Sequence, residues 1–239
     1  IEVTHYLRER FGKDKIYIMA HSGGTPIALL ATSRHPELYH AYMAMAQITD
    51  QAASEIRAYQ FMMEHFTKKG DAKKVNALEK YPVTGPDADV LTFYRSAIRD
   101  QLMHEAGIGT MRHMRSVIRD IFLPSWFCRA YTLPEKMGLW RSKFSFLPKT
   151  GLHRAVISTD FAARVPRLDV PVYFFSGKHD LTVNTGLSKA YFEKLQAPLK
   201  GFYFFQHSAH SPLYEEPGRV RQIVAEDVLH LQNDLADEK

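Results

Sequence analysis

Residues 16–34 read IYIMAHSGGTPIALLATSR, and the way this stretch folds decides the rest. Ile16 to Ala20 is a bulky apolar run of the kind that forms a strand. From Thr25 to Leu38 the spacing predicts a helix, and Pro26 is tolerable there only in the first turn, where backbone N–H groups have no intrahelical partner. The turn therefore falls at Ser22 to Gly24. A serine on a tight turn between a strand end and a helix start projects its hydroxyl outward, with the next N–H aimed at the same space. Such a turn needs small residues two positions before and two after the serine. Ala20 and Gly24 meet that need, with Ala20 departing from the more common glycine. The pattern small-x-Ser-x-Gly also arises by chance, so on this stretch alone a plain turn stays open.

Outward from it, residues 3–11 carry apolar side chains at helical spacing before GKDK (12–15) breaks the pattern. AYMAMAQ (41–47) predicts a second strand, completing a strand, helix, strand unit of the kind that builds parallel sheets. From 50 to 165 the stretches QAASEIRAYQFMMEHFTKKG (51–70) and DADVLTFYRSAIRDQLMHEAG (87–107) predict long helices, without convincing strands. Strands return at VPVYFFSG (170–177) and KGFYFFQ (200–206). Helices are expected at TGLSKAYFEKLQA (185–197) and from Glu216 towards Leu235. The expected organisation is an α/β core over 1–49 and 166–239, interrupted by a helical insertion over 50–165.

A hydroxyl is a poor nucleophile at neutral pH, so a catalytic serine needs a histidine base, and that histidine needs an acid to fix its tautomer. Both should lie on turns after later strands. VPVYFFSGKHD ends a strand and presents Asp180, and GFYFFQHSAHSPLYEEP ends the next in a loop with His207 and His210. The order Ser, Asp, His is one that strand-end triads use. Asp180 read simply as a cap of the following helix, and either histidine as an ordinary loop residue, remain the alternatives.

The segments AHSGG (20–24), VPVYFFSGKHDLTV (170–183) and HSAHSPLYEEP (207–217) resemble the nucleophile, acid and histidine motifs of the α/β-hydrolase superfamily, in particular its prolyl aminopeptidase-like members of the S33 type. The insertion from Gln51 also resembles the start of their helical cap. The resemblance implies an α/β-hydrolase fold with Ser22 as nucleophile, Asp180 as triad acid, His210 as base and the Gly23 backbone N–H as one oxyanion donor, leaving His207 and His21 as bystanders. It implies an acyl-enzyme acting on the N-terminal residue of a small peptide, proline first, or on a small ester or amide, with no cofactor. In that superfamily several strands precede the elbow, and an early loop with a His-Gly pair supplies the second oxyanion donor. This sequence holds neither, so the expectation is a C-terminal portion of a longer protein or a truncated product. A catalytically impaired member that binds a small apolar ligand, or pairs with a partner through an exposed sheet edge, is the other reading.

Composition sets the remaining bounds. Hydrophobic residues make up 45% and charged residues 24% of the 239, which suits a globular chain rather than a disordered one. No apolar run reaches membrane-spanning length, so no membrane partner is expected. The net charge of +5 is scattered among acids without a basic block, which argues against nucleic acid. Cys128 is the single cysteine, so an intramolecular disulfide is excluded and the compartment leans to the cytoplasm. The expected partner is a small-molecule or short-peptide substrate, with a homo-oligomer left open.

Within the insertion, Met62, Met63, Met103, Met111, Met114, Trp126 and Trp140 are expected mostly as core, with a few facing a pocket above Ser22. Glu55, Glu64 and Glu135 are candidates to hold a substrate amine. GIG (107–109) reads as a helix-ending turn rather than a phosphate loop. His207 and His210 lack a supporting ligand cluster, so no metal is expected. Glu215 and Glu216 most simply complement the dipole of the last helix.

Overall fold

The computed structural model describes residues 1–85 and 89–239. In chain order, α1 (Glu2–Phe11) leads to β1 (Ile16–His21), α2 (Thr25–Arg34) and β2 (Tyr39–Met45). Among the described residues eight α-helices follow: α3 (Gln51–Lys68), α4 (Ala72–Glu79), α5 (Val90–Tyr94), α6 (Ala97–Glu105), α7 (Leu123–Phe127), α8 (Leu133–Arg141), α9 (Leu152–Ile157) and α10 (Phe161–Arg164). The chain then returns through β3 (Val172–Gly177), α11 (Thr185–Lys194), β4 (Lys200–Phe205), α12 (Pro212–Glu215) and α13 (Pro217–Glu226). Asp87 and Ala88, the start of the helix expected over 87–107, lie outside the described residues. The rest of that stretch forms two helices, because the Ser96 side chain accepts from the Arg99 N–H and so starts α6 afresh.

The strands form one sheet in the order β1-β2-β3-β4, and every pairing is parallel. His21 lies opposite Met45, and Gly177 opposite Phe205. The segments after β1, β3 and β4 therefore leave the same carboxyl edge of the sheet, where parallel α/β folds gather their sites.

Period-two alternation divides the strand residues between two cores. Tyr42, Ala44, Phe174 and Phe202 pack with Leu29 of α2 and Phe192 of α11 on one face. Met43, Met45, Tyr173, Phe175, Tyr203 and Phe205 pack with Val220 and Ile223 of α13 on the other. The helical block has its own core, in which Ala58, Tyr59, Met62, Phe66, Phe93 and Met103 are buried together. β1 is an edge strand of the described sheet, and Met19 on it and Ile27 on α2 are exposed.

Several element ends differ from expectation, three of them for a clear local reason. Helix α2 stops at Arg34 rather than continuing to Leu38, because Pro36 drives His35 out of the helical region to φ −136°. β2 covers 39–45 rather than 41–47, since Ala46 takes a left-handed φ of 52° that ends the strand. The closing helix ends at Glu226, not near Leu235. There Asp227 is drawn inward, accepting from the Tyr203 hydroxyl at 2.7 Å and from the Asp234 and Leu235 N–H groups. Among the described residues no helix is long and apolar enough to cross a membrane.

Candidate active site

Ser22 sits where β1 runs into a short 3-10 turn, Ser22–Gly24, that leads directly into α2. Its φ of 54° is a left-handed conformation that a residue with a side chain rarely adopts. Backbone strain of this sort persists only where the surroundings over-determine it. Here the Thr25 hydroxyl donates to the Ser22 carbonyl at 2.7 Å while accepting the Ile48 N–H at 3.0 Å. A Cβ built on Gly24 would meet the Ala20 methyl at 3.8 Å, an ordinary contact, so the two small residues face each other across the turn without crowding. The Gly23 N–H lies in the opening turn, where N–H groups have no intrahelical acceptor.

Asp180 lies in the turn after β3 and is 2% exposed. Its Oδ1 accepts the Val183 N–H at 2.9 Å, and its Oδ2 faces His210 Nδ1 at 2.9 Å. The cap of α11 is Asn184, whose side chain accepts the Leu187 N–H, so Asp180 is not that helix's cap. His210, 4% exposed in the loop after β4, brings Nε2 to 2.7 Å from Ser22 Oγ. With Nδ1–H donating to the carboxylate, Nε2 is free to accept the serine proton. The three strand ends thus bring Ser22, His210 and Asp180 into one hydrogen-bonded chain.

His21, expected as a bystander, is a neighbour of this chain. Its ring lies 4.8 Å from that of His210, and its Nε2 is 2.7 Å from the His210 carbonyl, to which it donates. Burial, then the adjacent His210, lowers its pKa below the usual histidine value. A neutral His21 supplies that N–H without placing a positive charge beside the His210 ring. His207 is exposed, and Glu216 accepts its backbone N–H.

Both glutamates stand at the N-terminal end of α13, as expected, and their carboxylates also hold the histidine loop. Glu216 precedes that helix without a side-chain cap bond and instead accepts the Ser208 hydroxyl at 2.6 Å. Glu215 accepts backbone N–H groups on either side of His210, from Ala209 at 2.9 Å and Ser211 at 3.4 Å. Only the spacing of two acids just past the histidine hinted at this, and spacing cannot say which way a carboxylate turns.

Helical-block residues reach the same place. Gly107, at φ 72°, ends α6 as expected of GIG, and the following residues run against the two loops. The Leu181 N–H donates to the Ile108 carbonyl at 3.4 Å and the His210 N–H to that of Gly109 at 3.3 Å. Met111, Met114, His207 and Glu215 wall a cavity of 510 Å³ beside the histidine loop. Met62 and Met103 are core, Met63 packs against them, and Trp126 and Trp140 pack on Phe122.

The three acids considered for a substrate amine are engaged elsewhere. Glu55 is fully buried and paired with Arg99 through two bonds of 2.5 and 2.8 Å. Burial opposes the Arg99 charge, but the Glu55 carboxylate outweighs it and raises the Arg99 pKa. Glu64 pairs with Lys68 on the surface, and Glu135 accepts the Thr132 N–H at the start of α8. Among the described residues no group of three His, Cys, Asp or Glu side chains is placed to hold a metal ion.

No family model matches the chain. It is 29% identical over 238 residues to a probable aminopeptidase, YbaC, of Bacillus subtilis (strain 168), covering 96% of this chain and 70% of that protein. Among solved structures it is similar to a proline iminopeptidase of Mycobacterium smegmatis, with a TM-score of 0.57 at 14% identity over 95% of this chain and 69% of that one. It is also similar to an epoxide hydrolase of Bacillus megaterium, with a TM-score of 0.52 at 16% identity over 94% and 73%. A parallel sheet with the turn, acid and histidine segments at one edge, and these likenesses over nearly its whole length, give the chain the α/β-hydrolase fold.

Proposed function

We propose that the chain is a serine hydrolase that works through an acyl-enzyme. The observation that carries this is the unbroken contact from Ser22 Oγ to His210 Nε2 at 2.7 Å and from His210 Nδ1 to Asp180 Oδ2 at 2.9 Å. Ser22 attacks a carbonyl carbon as His210 Nε2 takes its proton, and Asp180 holds the ring and balances the imidazolium. The Gly23 N–H receives the developing oxyanion. Collapse of the tetrahedral species expels the leaving group, protonated by His210, and water then releases the acyl group by the same steps in reverse order. A serine at the elbow argues against epoxide opening, which in this fold uses a carboxylate nucleophile.

For the substrate, the resemblance and the aminopeptidase name of the relative support the N-terminal residue of a short peptide, proline first, with a small ester or amide next. We assign the helical block, α3 to α10, the role of a cap over the site. The test is stopped-flow hydrolysis of proline p-nitroanilide and p-nitrophenyl acetate. The reading predicts turnover of at least one, with a burst of nitrophenol on the ester equal to the enzyme present. Rates no greater than in buffer for both, from folded protein, would refute it.

The open edge of β1 favours the second reading, a chain that pairs through its sheet. It predicts a particle larger than one chain in size-exclusion chromatography with light scattering.

A further inference from the structure

We infer that Glu215 is a positioning residue that ties the 108–112 segment of the helical block to the histidine loop, so that His210 is held through the cap. The inference rests on His210 being the base of the proposed reaction. A histidine on a loop can hold a catalytic angle only if the backbone on both sides of it is fixed. The Glu215 carboxylate does this with one oxygen, accepting from Ala209 and Ser211, and with the other accepts the Arg112 N–H at 2.6 Å. Glu215 is thus the side chain common to both segments. Glu215 stands just before the N-cap of α13, where a negative charge suits the helix dipole, but its hydrogen bonds go to the histidine loop and to the 108–112 segment.

The tied segment is itself built to stay put. The Gly109 carbonyl receives the His210 N–H, and the Ile108 carbonyl the Leu181 N–H, so it touches the base loop and the acid loop together. Thr110 bonds His104 of α6 at 3.0 Å, and a Cβ on Gly109 would lie 2.3 Å from the His104 ring. A carboxylate suits the join because both of its oxygens only accept; an amide in its place must turn an NH2 towards N–H donors on one side.

Two readouts test this on the whole chain. Hydrogen exchange followed by mass spectrometry needs no activity: Glu215→Gln is expected to speed exchange of 108–112 and 207–211 together. The rate of labelling by a fluorophosphonate probe is expected to fall roughly 10- to 100-fold, with kcat on an ester falling and KM near the parent's. A lower melting temperature with an unchanged labelling rate would mean a merely structural role and overturn the inference, as would faster exchange in one segment alone. If Glu215→Gln does not fold, Thr110→Val, which frees the segment from its other side, is expected to slow labelling in the same direction, and a parental rate there overturns it. A parent that never labels defeats the serine-hydrolase reading instead, and the exchange result then decides the tie by itself.

Discussion

Gly177→Ala is expected to disable the site through a contact that no catalytic residue makes. Gly177 ends β3, and the loop after β4 crosses directly above it. The two segments are zipped there by the Lys178 N–H on Phe205 and the His179 N–H on Ser208, at 2.9 and 3.0 Å. A Cβ at Gly177 would stand 1.8 Å from the Ala209 carbonyl oxygen, 2.7 Å from that of Ser208 and 2.8 Å from the Ala209 carbonyl carbon. All three are backbone atoms, so no side chain can swing away. To reach even a tight 3.0 Å contact the loop must retreat by about 1.2 Å. Ala209 adjoins His210, whose contacts with Ser22 and Asp180 are 2.7 and 2.9 Å. A retreat of that size takes one or both beyond hydrogen-bond reach. The expected cost is roughly 100-fold or more in labelling rate and about 1–3 kcal/mol in stability from overpacking. Labelling kinetics and urea unfolding would be measured beside Gly218→Ala, where a Cβ meets nothing within 4 Å. A Gly177→Ala protein that labels within about threefold of the parent at a parental urea midpoint would refute the reasoning.

Three further outcomes follow from the same contacts. Asp180→Asn should leave the fold near parental but cut turnover about 10,000-fold, because an amide that donates to Nδ1 leaves the proton on Nε2, where it cannot accept from Ser22; steady-state kinetics with a melting curve separates the two effects. Glu55→Gln leaves the buried Arg99 charge with only the half-exposed Asp100 carboxylate and should cost about 3–5 kcal/mol in urea unfolding, whereas breaking the surface Glu64–Lys68 pair with Glu64→Gln should cost about 0–1 kcal/mol. Burial comes first among the causes that lower the pKa values of His21, His65, His104, His153 and His179 below 6.5. Between 6.5 and those lowered values the unfolded chain binds more protons than the folded one. Stability should therefore fall as pH drops below about 6.5, and melting temperatures that rise from pH 7 to pH 5.5 would contradict this.

The candidate site was legible in the sequence where a residue's position is set by its own element. Ser22 is readable because Pro26 fixes the helix start and the apolar run fixes the strand end, and Asp180 and His210 because each closes an apolar strand. Contacts made by distant segments were not legible. Nothing in GIG tells that the Ile108 and Gly109 carbonyls receive N–H groups from the acid and histidine loops. Nothing in EEP tells that both carboxylates turn back onto the histidine loop rather than forward to a helix. Glu55 reads equally well as an amine ligand until Arg99, more than forty positions away, is found against it. Helix ends failed for a related reason: Asp227 stops α13 only because Tyr203 draws it into the core.

The proposed chemistry requires Ser22 to be an activated nucleophile. Intact mass after treatment with a fluorophosphonate probe tests that directly, with the parent run beside Ser22→Ala and His210→Ala. One adduct on the parent and none on either variant is the predicted result. No adduct on a folded parent, or an adduct that persists in Ser22→Ala, would contradict it.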